Sequence, residues 1–124
     1  MRVDAISIVH PAGTCIAEGA KRLEIRSWPP PRLPLLNLLV VENRRRLERE
    51  GEIDLDGLGV AWIDILHIRP WTEEDAQRDG HHFQPGYHAW EISNLRPIAA
   101  PFRVQAERGI YQIEVEAEPF QSSL

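Results

Sequence analysis

Four residues between positions 21 and 28 carry the densest chemistry in the sequence: Lys21, Glu24, Arg26 and Trp28. Alternation along an extended segment starting at Leu23 puts Glu24, Arg26 and Trp28 on one face and Leu23 and Ile25 on the other, with Lys21 at the entrance. A guanidinium forks onto phosphate, an ammonium supplies a second positive charge, and an indole stacks on a base. Lys21 is also the one lysine among 14 basic residues. Either the chain is biased toward arginine, or this position needs an ammonium that a guanidinium does not imitate. The plainer reading of the same four residues is a set of ion pairs on an exposed strand face, with Trp28 as edge packing.

A second use of these groups is enzymatic. A carboxylate in a poorly hydrated cleft suits general acid or base work, and a desolvated Lys21 can act as base or hold a water. The candidate catalytic set is Lys21, Glu24 and Glu91, with Asp64 a further acid on an otherwise apolar strand line. The plainer reading makes Asp64 and Glu91 turn caps or arginine partners at the barrel mouth, and it is preferred for Asp64. The candidate binding set is Lys21, Glu24, Arg26, Trp28 and Trp90, the last being the second stacking candidate, whereas Trp62 and Trp71 read as packing. His81, His82 and His88 lack both helical i,i+4 spacing and a cysteine partner, so no metal is expected there, and no cofactor elsewhere. The single Cys15 excludes an internal disulfide and a thiolate-rich cluster, and reads as a small core residue. The Gly57-Leu58-Gly59 run is no phosphate-cradling loop, and no Ser-His-Asp arrangement emerges.

Positioning these groups requires a β-rich frame. Residues 3–9 read as a first strand, and Pro11 opens a short amphipathic helix that Gly19 stops. Prolines 29, 30, 31 and 34 impose a stiff connection after Trp28. Residues 35–41 are nearly all apolar, as in a strand buried on both faces. Residues 42–50 are helical in character: Glu42/Arg46 and Arg46/Glu50 stand at i,i+4, Gly51 is a stop, and Arg44 to Arg46 form a solvated face. A long strand follows over 60–68, then a short helix from Thr72 with a loop, then three strands over 87–95, 102–106 and 109–115. Six or seven short strands with two or three short helices predict an α+β, closed or nearly closed barrel.

The chain has 124 residues, 43% hydrophobic and 27% charged, which fits one domain that buries about two-thirds of its unfolded surface without staples. The expected organisation is a domain over 1–115 and a tail over 116–124. A net charge of −5 argues against a whole-molecule phosphate-backbone binder, so a nucleic-acid site must be local. No apolar run reaches the length of a membrane helix, and the N-terminus leads directly into strand-like sequence, giving the expectation of a cytoplasmic protein.

The run Gly19-Ala20-Lys21-Arg22-Leu23-Glu24-Ile25-Arg26 fits the pattern G-x-K-x-x-E-x-R and resembles the signature of the ASCH domain, a branch of the PUA-like superfamily. Further agreement in order and spacing comes from Ile6-Ser7-Ile8, Trp28, Gly59-Val60-Ala61 with Asp64, Ala89-Trp90-Glu91-Ile92, Pro97-Ile98 and Gly109-Ile110-Tyr111. The resemblance implies a mixed-sheet barrel of five or six strands with a cleft lined by the motif, in a family generally thought to bind RNA. That family also includes a small amidohydrolase acting on acetylated cytidine and proteins with ribonuclease activity. Two positions depart from its pattern: Ala12 stands where a Trp is frequent, and Leu38 where a His is frequent. Glu24 also departs from the amidohydrolase branch, in which a threonine serving the catalytic machinery holds that position.

The reading to which these residues lead is a binding module whose cleft accepts a single-stranded RNA segment or a nucleotide. The alternative is a small hydrolase acting on a modified cytidine nucleoside or on RNA. A third reading is a protein-interaction domain that presents the Arg44–Arg49 helix.

Overall fold

The computed structural model describes residues 1–116, so most of the expected 116–124 tail lies outside the described residues. Along the chain run β1 (Arg2–Val9), α1 (Ala12–Ala17), β2 (Leu23–Arg26), β3 (Leu35–Asn43), β4 (Ile53–Asp54), β5 (Leu58–Pro70), α2 (Glu73–Asp79), β6 (His88–Arg103), β7 (Ala106–Glu107) and β8 (Ile110–Glu114). Six strands form one mixed sheet in the order β2-β6-β5-β3-β1-β8, and β4 pairs with β7 separately. Only β1 and β3 are parallel; the other pairs are antiparallel. The expected α+β class is therefore observed, with eight strands and two helices among the described residues. The sheet is mostly open in its pairing, with β2 and β8 at the two ends of the strand order. No helix among the described residues is long and apolar enough to cross a membrane.

The apolar run of β3 is buried on both sides, as its composition requires. Leu38 and Val40 join Ile6, Ile8, Ile63, Ile65, Trp90 and Ile16 of α1 in one cluster, while Leu39 and Val41 join Val3, Ala5, Trp62 and Tyr111 in a second. A third, smaller cluster unites Leu23 of β2 with Trp71, Ala76 and Ala89, and Ile25 packs against it. This seats α2 on the Leu23/Ile25 face of β2 and turns Glu24 and Arg26 to the opposite face.

Residues 42–50 are not a helix, and the reason is tertiary. Glu42 and Asn43 extend β3 in register with Ile8 and Val9. The buried Glu42 carboxylate accepts from the Thr14 backbone amide at 2.6 Å and the Thr14 hydroxyl at 2.9 Å, and lies 3.0 Å from His10 Nδ1. Burial alone would raise its pKa, but these hydrogen bonds outweigh it and hold the group below its ordinary value. Arg45 pairs with Glu52 rather than along a helix, and Leu47 is drawn into the second core cluster. Local i,i+4 pairs worth a few tenths of a kcal/mol lose to strand pairing and burial. The arginine-rich helix on which the protein-interaction reading depends is accordingly absent, and these residues form an irregular connection.

The strands expected over 87–95 and 102–106 are instead joined in the 16-residue β6. β2 covers only residues 88–91 of it, so Pro97 and Pro101 fall where β6 has no neighbour on its β2 side and a missing N–H costs no ladder bond there. Asp64 accounts for its place on an apolar line. It accepts from the Asn37 backbone amide and the Asn94 side chain, both at 2.9 Å, and pairs with Arg96 at 3.2 Å. Asn37 and Asn94 both adopt positive φ, so one carboxylate ties down two left-handed residues beside irregularities in strand register.

The helix expected from Thr72 is α2. Thr72 Oγ1 accepts from the Asp75 amide at 3.1 Å and Asp75 returns the bond to the Thr72 amide, a complete capping box, while Gly80 ends the helix at φ 72°. Thr72→Ala is expected to lower stability by about 1 kcal/mol, read as a shift in the urea midpoint at unchanged slope.

Candidate functional site

A cleft of about 1350 Å³ opens beside β2, with the end of β7 and the start of β8 across from it and the connection over 43–52, carrying Glu48, Glu50 and Glu52, along a further wall. Its shape follows from local chain rules. Gly19, at φ 79°, ends the first helical segment, and the amides of Ala20 and Lys21 both bond the Cys15 carbonyl, at 2.9 and 3.1 Å. This delivers Lys21 to the mouth of β2. The register Glu24↔Trp90 and Arg26↔His88 places these side chains on the cleft side of the sheet.

Lys21, Glu24 and Arg26 form one connected group. Glu24, only 6% exposed, accepts from Arg26 Nε at 2.7 Å on one carboxylate oxygen and lies 3.4 Å from Lys21 Nζ through the other. Arg26 also donates to the Ser7 carbonyl at 3.1 Å and lies 5.6 Å from the Trp28 ring centroid. Trp28 in turn meets Trp90 edge to face, with centroids 5.2 Å apart and planes at 84°. A Cβ on Gly109, itself at φ 68°, would sit 3.8 Å from the Trp28 ring, so the β8 side of the cleft approaches the indole through a residue without a side chain.

The structure thus brings together Lys21, Glu24, Arg26 and Trp28 and separates two other sequence candidates from solvent or from the group. Trp90 is fully buried, so it backs Trp28 rather than offering a surface of its own. Glu91 pairs in register with Leu23, on the opposite face of the sheet from Glu24, and its carboxylate reaches Arg69 at 3.2 Å. Glu91 does not line the cleft. Arg69 binds Asp75 as well, tying β5 to the start of α2.

Sequence reasoning missed the far wall. Ser7, Glu107 and Arg108 line the cleft, and the Ser7 hydroxyl donates to the Glu107 carbonyl. These residues lie about 100 positions apart, and no local pattern joins them. His81 and His82 also line the cleft and are exposed; no group of three potential metal ligands occurs among the described residues. Ala12 borders the cleft as well, whereas Leu38 is fully buried in the core.

Fold and site together define a mixed α+β domain with a charged, tryptophan-backed cleft at an open sheet edge. The sequence profile of the ASCH domain matches residues 6–102, more than three-quarters of the chain, and the protein belongs to the ASCH domain family. No curated protein matches the chain.

Proposed function

We propose that the cleft binds a nucleotide or a short segment of single-stranded RNA. The observation that carries this reading is the sharing of the buried Glu24 carboxylate between Lys21 and Arg26, beside the half-buried Trp28 ring. Glu24 holds both cations in fixed positions and leaves their remaining N–H donors for phosphate, ribose or base acceptors. Trp28, braced from behind by Trp90, provides a π-face of set orientation. Preorganisation of this kind lowers the entropy lost when a flexible ligand binds.

Fluorescence anisotropy with short single-stranded RNA at low salt tests the proposal. Modest binding that weakens as salt rises is expected, and both Lys21→Ala and Glu24→Ala should abolish most of it. Absence of binding to every RNA tried would overturn the reading. A hydrolytic use of the same cleft is favoured by one observation, the close approach of an amine and a nearly buried carboxylate in Lys21 and Glu24. Turnover of an acetylated cytidine or of RNA that disappears in Lys21→Ala, with the circular dichroism spectrum retained, would establish it.

A further inference from the structure

β2 is an edge strand, and the cleft wraps around it. On one face stand Glu24 and Arg26, with Trp28 just beyond the strand end. On the other face Ile25 packs against the cluster that contains Trp71, with Tyr87 and Phe83 at its border. The pairing Arg26↔His88 ends the β2–β6 ladder, so Ser27 and Trp28 leave β2 at the same end at which Tyr87 leads into β6. Two aromatic groups therefore flank the same turn of chain from opposite faces, and both line the cleft.

The second aromatic group is fixed in place. Trp71 packs on Phe83 with centroids 5.3 Å apart and on Tyr87 at 6.1 Å, and its backbone amide donates to the Tyr87 carbonyl at 2.9 Å. The segment leading to it is anchored by the His81 amide on the Ala76 carbonyl at 2.8 Å. Tyr87 is half-buried, and its hydroxyl makes no hydrogen bond to another described residue. From residues 81–87 the cleft wall takes His81, His82, Gln84 and Tyr87, which include no carboxylate. An aromatic and amide-bearing wall offers a base a stacking face and hydrogen-bonding groups.

From this geometry we infer that the cleft holds two adjacent nucleotides astride β2. The first base lies against Trp28 beside the Lys21, Glu24 and Arg26 group, and the second lies against Tyr87 with His81 and His82 at its rim. The connecting backbone crosses the exposed Ser27. This inference rests on the nucleotide-binding reading and adds to it a minimum ligand length and a second set of residues.

Isothermal titration with adenosine 5′-monophosphate, the adenylate dinucleotide and the adenylate tetranucleotide separates the two ideas. The dinucleotide is expected to bind about 5- to 150-fold more tightly than the mononucleotide, the range supplied by one base stacked on an aromatic ring. Tyr87→Ala should bring that ratio close to one, and Tyr87→Phe should preserve it. Because Tyr87 touches Trp71, the double substitution of the exposed His81 and His82 by alanine provides a second variant, and it should also reduce the ratio. Equal affinity for mononucleotide and dinucleotide in the unaltered protein would overturn the two-nucleotide site and leave the Trp28 site standing. A ratio unchanged in Tyr87→Ala would likewise overturn it. No binding of any adenylate probe would overturn the two-nucleotide site, and the Trp28 site would fall with it if every RNA tried by anisotropy also failed to bind.

Discussion

Trp90→Ala is expected to lower stability by about 3–5 kcal/mol and to weaken ligand binding in whatever fraction still folds. The indole is fully buried among Ile6, Ile8, Leu38, Ile63 and Ile65, so its removal leaves a cavity in the principal core. It is also the edge-to-face support of Trp28, and β6 carries it directly across from Glu24. The loss therefore falls on packing and on the platform together. Trp90→Phe keeps an aromatic ring behind Trp28 and should cost less in both respects. Chemical denaturation of the two variants, followed by RNA titration at a temperature where each is folded, checks the pair. If Trp90→Phe matched Trp90→Ala in binding while retaining near-native stability, the supporting role of the ring would be wrong.

Asp75→Ala is expected to cost about 2–4 kcal/mol near neutral pH, the usual cost of breaking a buried ion pair discounted for the partial exposure of its arginine partners. Asp75 is 4% exposed and accepts from Arg69 at 2.6 and 3.0 Å, from Arg78 at 3.0 Å, and from the amide and hydroxyl of Thr72. The Arg69 guanidinium is the main cause that holds its pKa well below the ordinary 3.8. A native pKa depressed below the unfolded one stabilises the fold at pH values above the unfolded pKa, and this contribution is lost as pH falls through the native value. The acid limb of the stability profile, below about pH 4, should consequently be flatter in Asp75→Ala than in the unaltered protein. Urea midpoints measured from pH 7 down to pH 2 provide the comparison. Parallel profiles for the two proteins would show that Asp75 does not carry the acid sensitivity.

Much of the frame was legible in the sequence because it depends on short-range pattern. Period-two alternation marked β2 and the separate faces of Leu23/Ile25 and Glu24/Arg26. The unbroken apolar run marked β3 as buried on both sides, and Thr72 marked the start of α2. The spacing from Gly19 to Arg26, together with the order and spacing of the segments from Ile6 to Tyr111, indicated the ASCH family, which the profile match over residues 6–102 establishes.

Other features were decided by partners distant along the chain. Residues 42–50 carry a helical charge pattern, yet Glu42 is taken by His10 and Thr14 and Leu47 by the core. Glu91 and Trp90 are neighbours in sequence, but the antiparallel register with β2 sends one to Arg69 on the far face and the other into the core behind Trp28.

By itself, then, the sequence determined which residues alternate, where α1 starts and stops, where α2 starts, and which motif stands at the head of β2, since each of these is set by backbone geometry over a few residues. Tertiary structure alone decided that β2 and β8 stand at the two ends of the strand order, that Ser7, Arg108 and Tyr87 face the same cleft as Lys21, and that Glu24 is shared between two cations. The physical reason is register: strand pairing over tens of residues fixes which faces meet, and a shift of one position would turn every side chain of β2 to the other side.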